Sequence, residues 1–277
     1  MNYLLLHGSF HAAWNWHKVQ PLLHALGHRT LTPDLPAHGH DRMPARKVSL
    51  QACVDKVVAC LQQLPAPAVL VAHSRSGIVI SQVAEQCPER VAGLVYLAAY
   101  LVPHGKSMMD YAVHDTESLV VRNVVPRLGA EGATRLGRMF RRPLVRALLP
   151  RWLPAARQTH RLRPEAYRDA LYHDCPPEIT AMAHALLEPE PNWPGFTPLR
   201  LSNARYGRVP RVYVQCLQDR AVTLPLQQRM VADSGCAQVY SLDSGHSPFF
   251  SQPERLVDVL VDAQRHFKAE SASAGSQ

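Results

Sequence analysis

The alternation of short apolar runs with helical patterns in the first hundred residues constrains the fold more than any other feature. Each apolar run has the length of a buried strand, and each intervening segment has helical periodicity. Repeated strand–helix units predict a mostly parallel sheet with helices on both faces. The predicted strands are Tyr3–His7, Arg29–Pro33, Ala68–His73 and Leu94–Ala99, and the predicted helices are Trp14–Leu26, Leu50–Gln63 and Ile78–Cys87.

The same rhythm resumes in the last third of the chain, so we expect about six strands in one sheet. The predicted elements there are the strand Arg211–Cys216, the helix Leu224–Ser234, the strand Gln238–Leu242 and the helix Pro253–Phe267. We expect residues 1–102 and 201–268 to form the α/β core. Residues 103–200 hold many prolines and no convincing strand, which predicts an inserted helical lid. The small, polar residues 269–277 are expected to form a flexible tail.

Length and composition indicate an ordinary globular enzyme. A chain of 277 residues suffices for one large α/β domain or for a core with an insertion. The N-terminus lacks the features of a secretory signal, and no apolar stretch approaches the roughly 20 residues of a membrane span. The six cysteines are scattered without C-x-x-C pairs, so we expect reduced thiols in a cytoplasmic protein.

The basic charge is concentrated in one segment. The net charge is +8, and Gly132–Pro164 holds nine arginines and no acidic residue. This segment is either a solvated face or a patch that attracts an anionic substrate, an acidic carrier protein or a membrane surface. Nucleic acid is not favoured, because no binding motif or run of stacking aromatics accompanies the charge.

A candidate nucleophile lies where the third predicted strand meets a helix, in the sequence VAHSRSG. Ser74 occupies the turn, which is the layout of a nucleophile elbow. The usual pattern is G-x-S-x-G, and this chain has Ala72 and Ser76 at the glycine positions. Both are small, so the close packing of strand and helix is retained. An ordinary strand-to-helix turn with an N-capping serine is the alternative.

A histidine–glycine turn follows the first strand and predicts an oxyanion hole. The backbone amides of Ser9 and Arg75 are the candidate donors, because rigid amides can stabilise a developing oxyanion. Phe10 and His11 in this turn, and Ser247 after the last strand, are candidate substrate-binding residues. The Arg75 side chain either meets a substrate carboxylate or phosphate or covers the elbow helix.

The serine needs a base, and the base needs an orienting group. Asp219 follows one strand and His246 follows the next, so both lie at the carboxyl edge of the sheet in the order serine, acid, histidine. Asp243 is too close to His246 in sequence to be the obvious orienting acid. We expect His73 to point away from Ser74. The remaining candidates are expected on the surface or in the lid, namely His38, His40, His104 and His173.

These motifs together resemble the hydroxynitrile lyase and plant methyl esterase branch of the α/β-hydrolase superfamily. The resemblance rests on HGSFHAAWNW, VAHSRSG, LQD, GHSPFFSQP and SNARYGRVPRVYV, and covers roughly residues 3–101 and 202–266. It implies the α/β-hydrolase fold, a helical lid, no cofactor and often a homodimer. In that branch the lyases carry threonine in place of Gly8 and lysine in place of Ser247, so the resemblance implies a hydrolase.

We therefore expect a serine hydrolase that cleaves a small or medium carboxylic ester or a methyl ester through an acyl-enzyme. A thioesterase or tailoring hydrolase with a carrier-bound or anionic acyl substrate is the main alternative. A hydroxynitrile lyase, a cofactor-free oxygenase and a ligand-binding receptor on the same fold also remain open.

Overall fold

A six-stranded parallel sheet forms the centre of the protein. The computed structural model describes residues 1–125, 130–142, 144–145, 148 and 158–274. The strand order is β2-β1-β3-β4-β8-β9, and every neighbouring pair is parallel. These strands are β1 (Asn2–Leu6), β2 (Arg29–Leu31), β3 (Ala68–His73), β4 (Val91–Leu97), β8 (Arg211–Cys216) and β9 (Gln238–Leu242). The predicted sheet and its strand number are confirmed.

Helices cover both faces of this sheet, which explains why its central strands are mainly apolar. All residues of β1 and β3 are buried, because neither face meets solvent. Helices of the core are α1 (Val19–Ala25), α2 (Leu50–Gln62), α3 (Gly77–Gln86), α10 (Leu224–Ser234), α11 (Pro248–Ser251) and α12 (Pro253–Ala274).

The chain order reverses between β1 and β3, and this reversal positions the site. After β1 the chain crosses to β2 on one side, whereas β3 lies on the other side of β1. Loops that leave the carboxyl ends of two such strands diverge and leave a crevice. The turn beginning at His7 and the turn at Ser74 are the two loops that flank this crevice.

The segment between β4 and β8 contains short helices and a small sheet. The expectation that residues 103–200 hold no strand was wrong, since three short strands lie there and pair antiparallel. Two of them have only two residues, too few for a periodic pattern. The elements are β5 (Val124–Val125), β6 (Thr159–Leu162), β7 (Glu190–Pro191), α4 (Met109–Ala112), α5 (Leu119–Asn123), α6 (Ala130–Phe140), α7 (Tyr167–Leu171), α8 (Pro177–Leu186) and α9 (Trp193–Phe196).

Several predicted boundaries differ from the structure. The predicted helix Trp14–Leu26 is a 3-10 turn at Ala13–Trp16 followed by α1. The last helix continues to Ala274, into the segment predicted as a flexible tail, and residues 275–277 lie outside the described part. Of the nine arginines in the basic segment, Arg146, Arg151 and Arg157 also lie outside it.

Two further expectations concern membrane-spanning segments and disulfide bonds. In the described ranges, no helix combines the length and apolarity that crossing a membrane requires. The six cysteines, all of them described, form no disulfide.

We predict that Gly77→Ala destabilises the fold. A Cβ at Gly77 would lie 2.5 Å from the Tyr100 carbonyl oxygen, and backbone atoms cannot rotate out of the way. Overpacking of this kind costs about 1–3 kcal/mol of unfolding free energy, which urea denaturation would measure.

The matched control is Gly207→Ala, where the nearest atoms lie 3.4 Å from the added carbon. Its unfolding free energy should stay within about 0.5 kcal/mol of the parent. Equal stabilities of the two variants would contradict the packing argument.

Candidate active site

Ser74 lies at a strained turn between a strand and a helix. Strand β3 ends at His73, a 3-10 turn spans Ser74–Ser76, and α3 begins at Gly77. The φ angle of Ser74 is 55°, in the left-handed region that residues with a side chain seldom adopt. Ser74 nevertheless lines a cavity. This turn presents its hydroxyl at the carboxyl edge of the sheet.

The two departures from the usual elbow pattern both fit locally. Ala72 is fully buried in the middle of the sheet, between its partners on β1 and β4. The Ser76 hydroxyl donates to the backbone carbonyl of His7. This bond fastens the elbow to the end of β1. The helix after the elbow comes closest to the backbone of Tyr100 one residue later, at Gly77.

His246 and Asp219 meet as the chain order predicts. His246 Nδ1 lies 2.7 Å from Asp219 Oδ2. The other carboxylate oxygen accepts the amides of Ala221 and Val222 at 2.7 and 2.9 Å. Because the carboxylate is fixed by these amides, it selects the tautomer in which Nδ1 carries the proton. The Nε2 atom is then left as the acceptor.

Ser74 and His246 line the same cavity. No hydrogen bond among the described residues joins the Ser74 hydroxyl to the imidazole. Contacts of this kind are often long until a reacting complex forms. The geometry therefore places an oriented imidazole and a strained serine at one cavity wall.

The loop after β1 approaches the elbow closely enough to require glycine. A Cβ at Gly8 would lie 2.6 Å from His73 Nδ1 and 2.8 Å from Ser74 Cβ. Ser9 lines the cavity, and no hydrogen bond of the described residues uses its amide. Arg75 also lines it and belongs to the first turn after β3, where amides have no partner four residues earlier.

The candidate substrate-binding residues do not all reach the cavity. Phe10 and His11 line it. Ser247 is fully buried and is absent from its wall. Ser247 is the residue directly before the first residue of α11, at the N-cap position of that helix.

The cavity has a volume of about 760 Å³ and is mainly apolar. Among the described residues in its wall, the basic side chains are arginines and histidines, and no carboxylate is present. Its apolar wall includes Tyr100, Met108, Met109, Val120, Leu136, Met139, Leu171, Trp193 and Phe196.

Histidine His73 behaves partly as expected. Its Nε2 donates to the backbone carbonyl of His246 at 2.9 Å, so it supports the histidine loop. Its ring centroid lies 4.4 Å from that of His246. His73 thus contacts the candidate base through its ring and stabilises the loop that carries it.

His38 was expected at the surface or in the lid, and this was wrong. It is fully buried, with Nε2 3.4 Å from the Glu190 carboxylate. His40 and His104 are exposed as expected, and His173 is half-buried. Asp243 accepts a bond from the Gln218 side chain and takes no part in orienting His246.

Sequence reasoning missed Glu190 entirely. Its buried carboxylate lies 2.5 Å from Arg75 Nη1. One nitrogen of the Arg75 guanidinium is therefore paired with a protein carboxylate. Glu190 lies in a proline-rich stretch without periodicity, so nothing in the sequence links it to a residue more than a hundred positions away. Among described residues, no cluster of three or more His, Cys, Asp or Glu side chains is arranged to hold a metal ion.

Comparison with known proteins gives a consistent family. A sequence model of the Alpha/beta hydrolase family matches residues 3–259. Putative methylesterase 11 of Arabidopsis thaliana, a chloroplastic protein, is 28% identical over 95% of this chain and 64% of its own length. The chain spans 57–71% of the length of four such chloroplastic methylesterases.

Two further proteins are similar over nearly their whole length. An alpha-hydroxynitrile lyase of Arabidopsis thaliana is 28% identical over 94% of this chain and 95% of its own. The crystal structure of a pyrethroid hydrolase from Sphingobium faniae superimposes with a TM-score of 0.78 at 25% identity, covering 96% of this chain and 97% of that one.

Buried neutral histidines around the site predict that the protein loses stability in mild acid. Burial lowers the pKa of His7 to about 3 and that of His11 to about 4. His11 donates through Nδ1 to Ser9 and accepts the Tyr172 hydroxyl at Nε2, which suits the neutral ring. Unfolded histidines bind protons near pH 6.5, so unfolding is favoured as the pH falls from 6.5 towards these folded values.

At pH 5 each such histidine should lower the unfolding free energy by about 2 kcal/mol relative to pH 7. Urea denaturation at both pH values measures this difference. His11→Gln should reduce the difference, whereas replacing the exposed His114 by Gln should not. An unfolding free energy that is the same at both pH values would refute the assignment.

Proposed function

We propose that this chain, which belongs to the alpha/beta hydrolase family, is a serine hydrolase of carboxylic esters. The observation that carries the proposal is the pairing of His246 with Asp219 beside the cavity that Ser74 lines. Similar proteins that are named as a putative methylesterase and as a pyrethroid hydrolase support ester hydrolysis.

In this proposal Ser74 attacks the ester carbonyl while His246 Nε2 accepts its proton. Asp219 holds the resulting imidazolium, and its buried, amide-bound carboxylate is suited to that charge. The amides of Ser9 and Arg75 donate to the tetrahedral oxyanion. His246 then returns the proton to the leaving alcohol, and water attacks the acyl-enzyme with His246 as base.

The substrate we propose has a small or medium apolar acyl group. The cavity is large enough for such a group, and its wall consists mainly of aliphatic, methionine and aromatic side chains. We propose residues 103–200 as a lid, because Met108, Leu136 and Trp193 from this segment form much of the wall. We further propose a homodimer and a cytoplasmic location, on the resemblance and the cysteine content alone.

A lyase reaction is disfavoured at two positions. Gly8 has no space for a threonine side chain unless His73 moves. Ser247 carries no charge and does not reach the cavity, so nothing at this position stabilises a departing cyanide.

An anionic acyl substrate, free or on an acidic carrier, is the second candidate. Arg122 and Arg135 belong to the cavity wall, and the described wall holds no carboxylate to oppose them. Arg122 Nε donates to the Thr116 carbonyl at 2.6 Å, which fixes its side chain at the wall. These charges would attract a carboxylate or phosphate at the far end of the acyl group.

We predict that Ser74→Ala lowers kcat on p-nitrophenyl esters about 10⁴–10⁶-fold without unfolding the protein. A fluorophosphonate probe should label the parent at Ser74, with mass spectrometry of peptides as the readout. Ser251→Ala, a serine outside the cavity wall, is the control and should keep full activity. Substantial turnover in a clean Ser74→Ala preparation would refute the proposal.

The second candidate has a separate test. Arg135→Gln should raise KM for an ester with a terminal carboxylate about 5-fold at low salt and leave KM for the matched neutral ester unchanged. The control, Arg161→Gln, removes another exposed arginine that does not line the cavity. Equal effects on both esters, or from both variants, would contradict recognition by Arg135.

A further inference from the structure

Glu190 contacts both backbone segments that supply the proposed oxyanion hole. It begins strand β7 of the inserted segment and is completely buried. Its carboxylate accepts the Phe10 amide at 3.0 Å and pairs with the Arg75 guanidinium at 2.5 Å. Phe10 follows Ser9, and Arg75 follows Ser74. One carboxylate therefore reaches the loop after β1 and the elbow after β3.

The Phe10 contact acts on a strained part of the backbone. Phe10 has a φ of 68°, which costs free energy for a residue with a side chain. Its amide donates to Glu190, and its carbonyl accepts the amide of Glu188 at 2.9 Å. Residues 188–190 thus hold Phe10 on both sides. The Phe10 amide belongs to the Ser9–Phe10 peptide, which directly follows the peptide that carries the Ser9 N–H, so this bond restrains Ser9 from its C-terminal side.

The Arg75 contact is electrostatic and shielded from water. Burial alone would raise the pKa of Glu190, but Arg75 and His38 outweigh it and hold the pKa well below its usual range. The carboxylate is therefore charged. Arg75 Nη1 also lies 3.5 Å from the Pro191 carbonyl. The side chain of Arg75 is thereby tied to β7, which restrains the first turn of the elbow.

Glu190 has no access to a substrate. It is absent from the cavity wall, although its neighbours Pro191 and Asn192 belong to it. Any effect of Glu190 on the reaction must act through its protein contacts, which are Phe10, Arg75 and His38. Strand β7 holds Glu190 and also contributes Pro191 to the cavity wall. The wall is therefore linked through this strand to the segments that supply the proposed oxyanion hole.

We propose that Glu190 is a positioning residue that sets the two backbone donors of the oxyanion hole by binding Phe10 and Arg75 together. This rests on the proposed serine esterase function. The carboxylate restrains the Ser9–Phe10 peptide through one hydrogen bond and the elbow through one ion pair. Its loss displaces donors whose geometry matters more to the transition state than to substrate binding.

The test compares two variants that both lack the ion pair. In Arg75→Met/Glu190→Gln both charges of the ion pair are removed together, and the amide oxygen can still accept the Phe10 amide. Arg75→Met/Glu190→Leu differs only in that residue 190 cannot accept a hydrogen bond. Glu85→Gln is the control, since Glu85 also accepts backbone amides, at Ser202 and Tyr206, but lies outside the cavity wall.

Three quantities are measured for each variant, namely kcat and KM on a p-nitrophenyl ester and the rate of fluorophosphonate labelling at Ser74. We expect the leucine variant to be slower than the glutamine variant by about 10- to 100-fold in kcat and in labelling, with KM nearly unchanged. Melting temperatures should differ much less than these rates. Glu85→Gln should retain the parent rates.

Equal rates in the glutamine and leucine variants would overturn the proposal. So would a loss that appears in KM alone, or one that Glu85→Gln reproduces at the same melting temperature. Hydrogen exchange of the peptide containing Phe10 gives a readout that needs no reaction, and it should be faster in the leucine variant only. If the parent is not labelled at Ser74, the esterase proposal fails, and unchanged exchange would separately refute the role of Glu190.

Discussion

The left-handed turn at Ser74 is the constraint on which the rest of the site depends. A serine in that conformation is unfavourable by itself, so the surrounding packing has to hold it. Gly77 allows the following helix to touch the Tyr100 carbonyl, and Tyr100 in turn donates its amide to the Ser74 carbonyl. Gly8 allows the loop after β1 to approach from the other side. The strain is thus balanced by contacts that exist only in the folded sheet.

The histidine loop is held by separate contacts. His73 binds the carbonyl of His246, while Asp219 fixes its ring. The carboxylate of Asp219 is itself held by two amides. The candidate base therefore has its position set at the backbone and its tautomer set at the ring, and both arrangements follow from the carboxyl ends of neighbouring strands meeting at one edge.

The buried histidines near the site and the buried arginine at the elbow differ in how their charge is accommodated. Three neighbouring histidines, His7, His11 and His73, have a lowered pKa because burial disfavours their protonated form. The one buried guanidinium at the elbow, Arg75, is paired with Glu190. The segment between β4 and β8 supplies the compensating carboxylate, so it contributes to the site.

By itself, the sequence determined the parallel sheet, its six strands and the chain order of Ser74, Asp219 and His246. The strands follow from local periodicity, which can be read directly from the sequence. The meeting of the three side chains follows from the general rule that the carboxyl ends of parallel strands lie at one edge. Only the tertiary structure decided the pairing of Arg75 with Glu190, the burial of His38 and the absence of Ser247 from the cavity. Those contacts join residues far apart in sequence through short strands and irregular turns. No periodic pattern records such contacts, because they depend on how the inserted segment packs against the sheet.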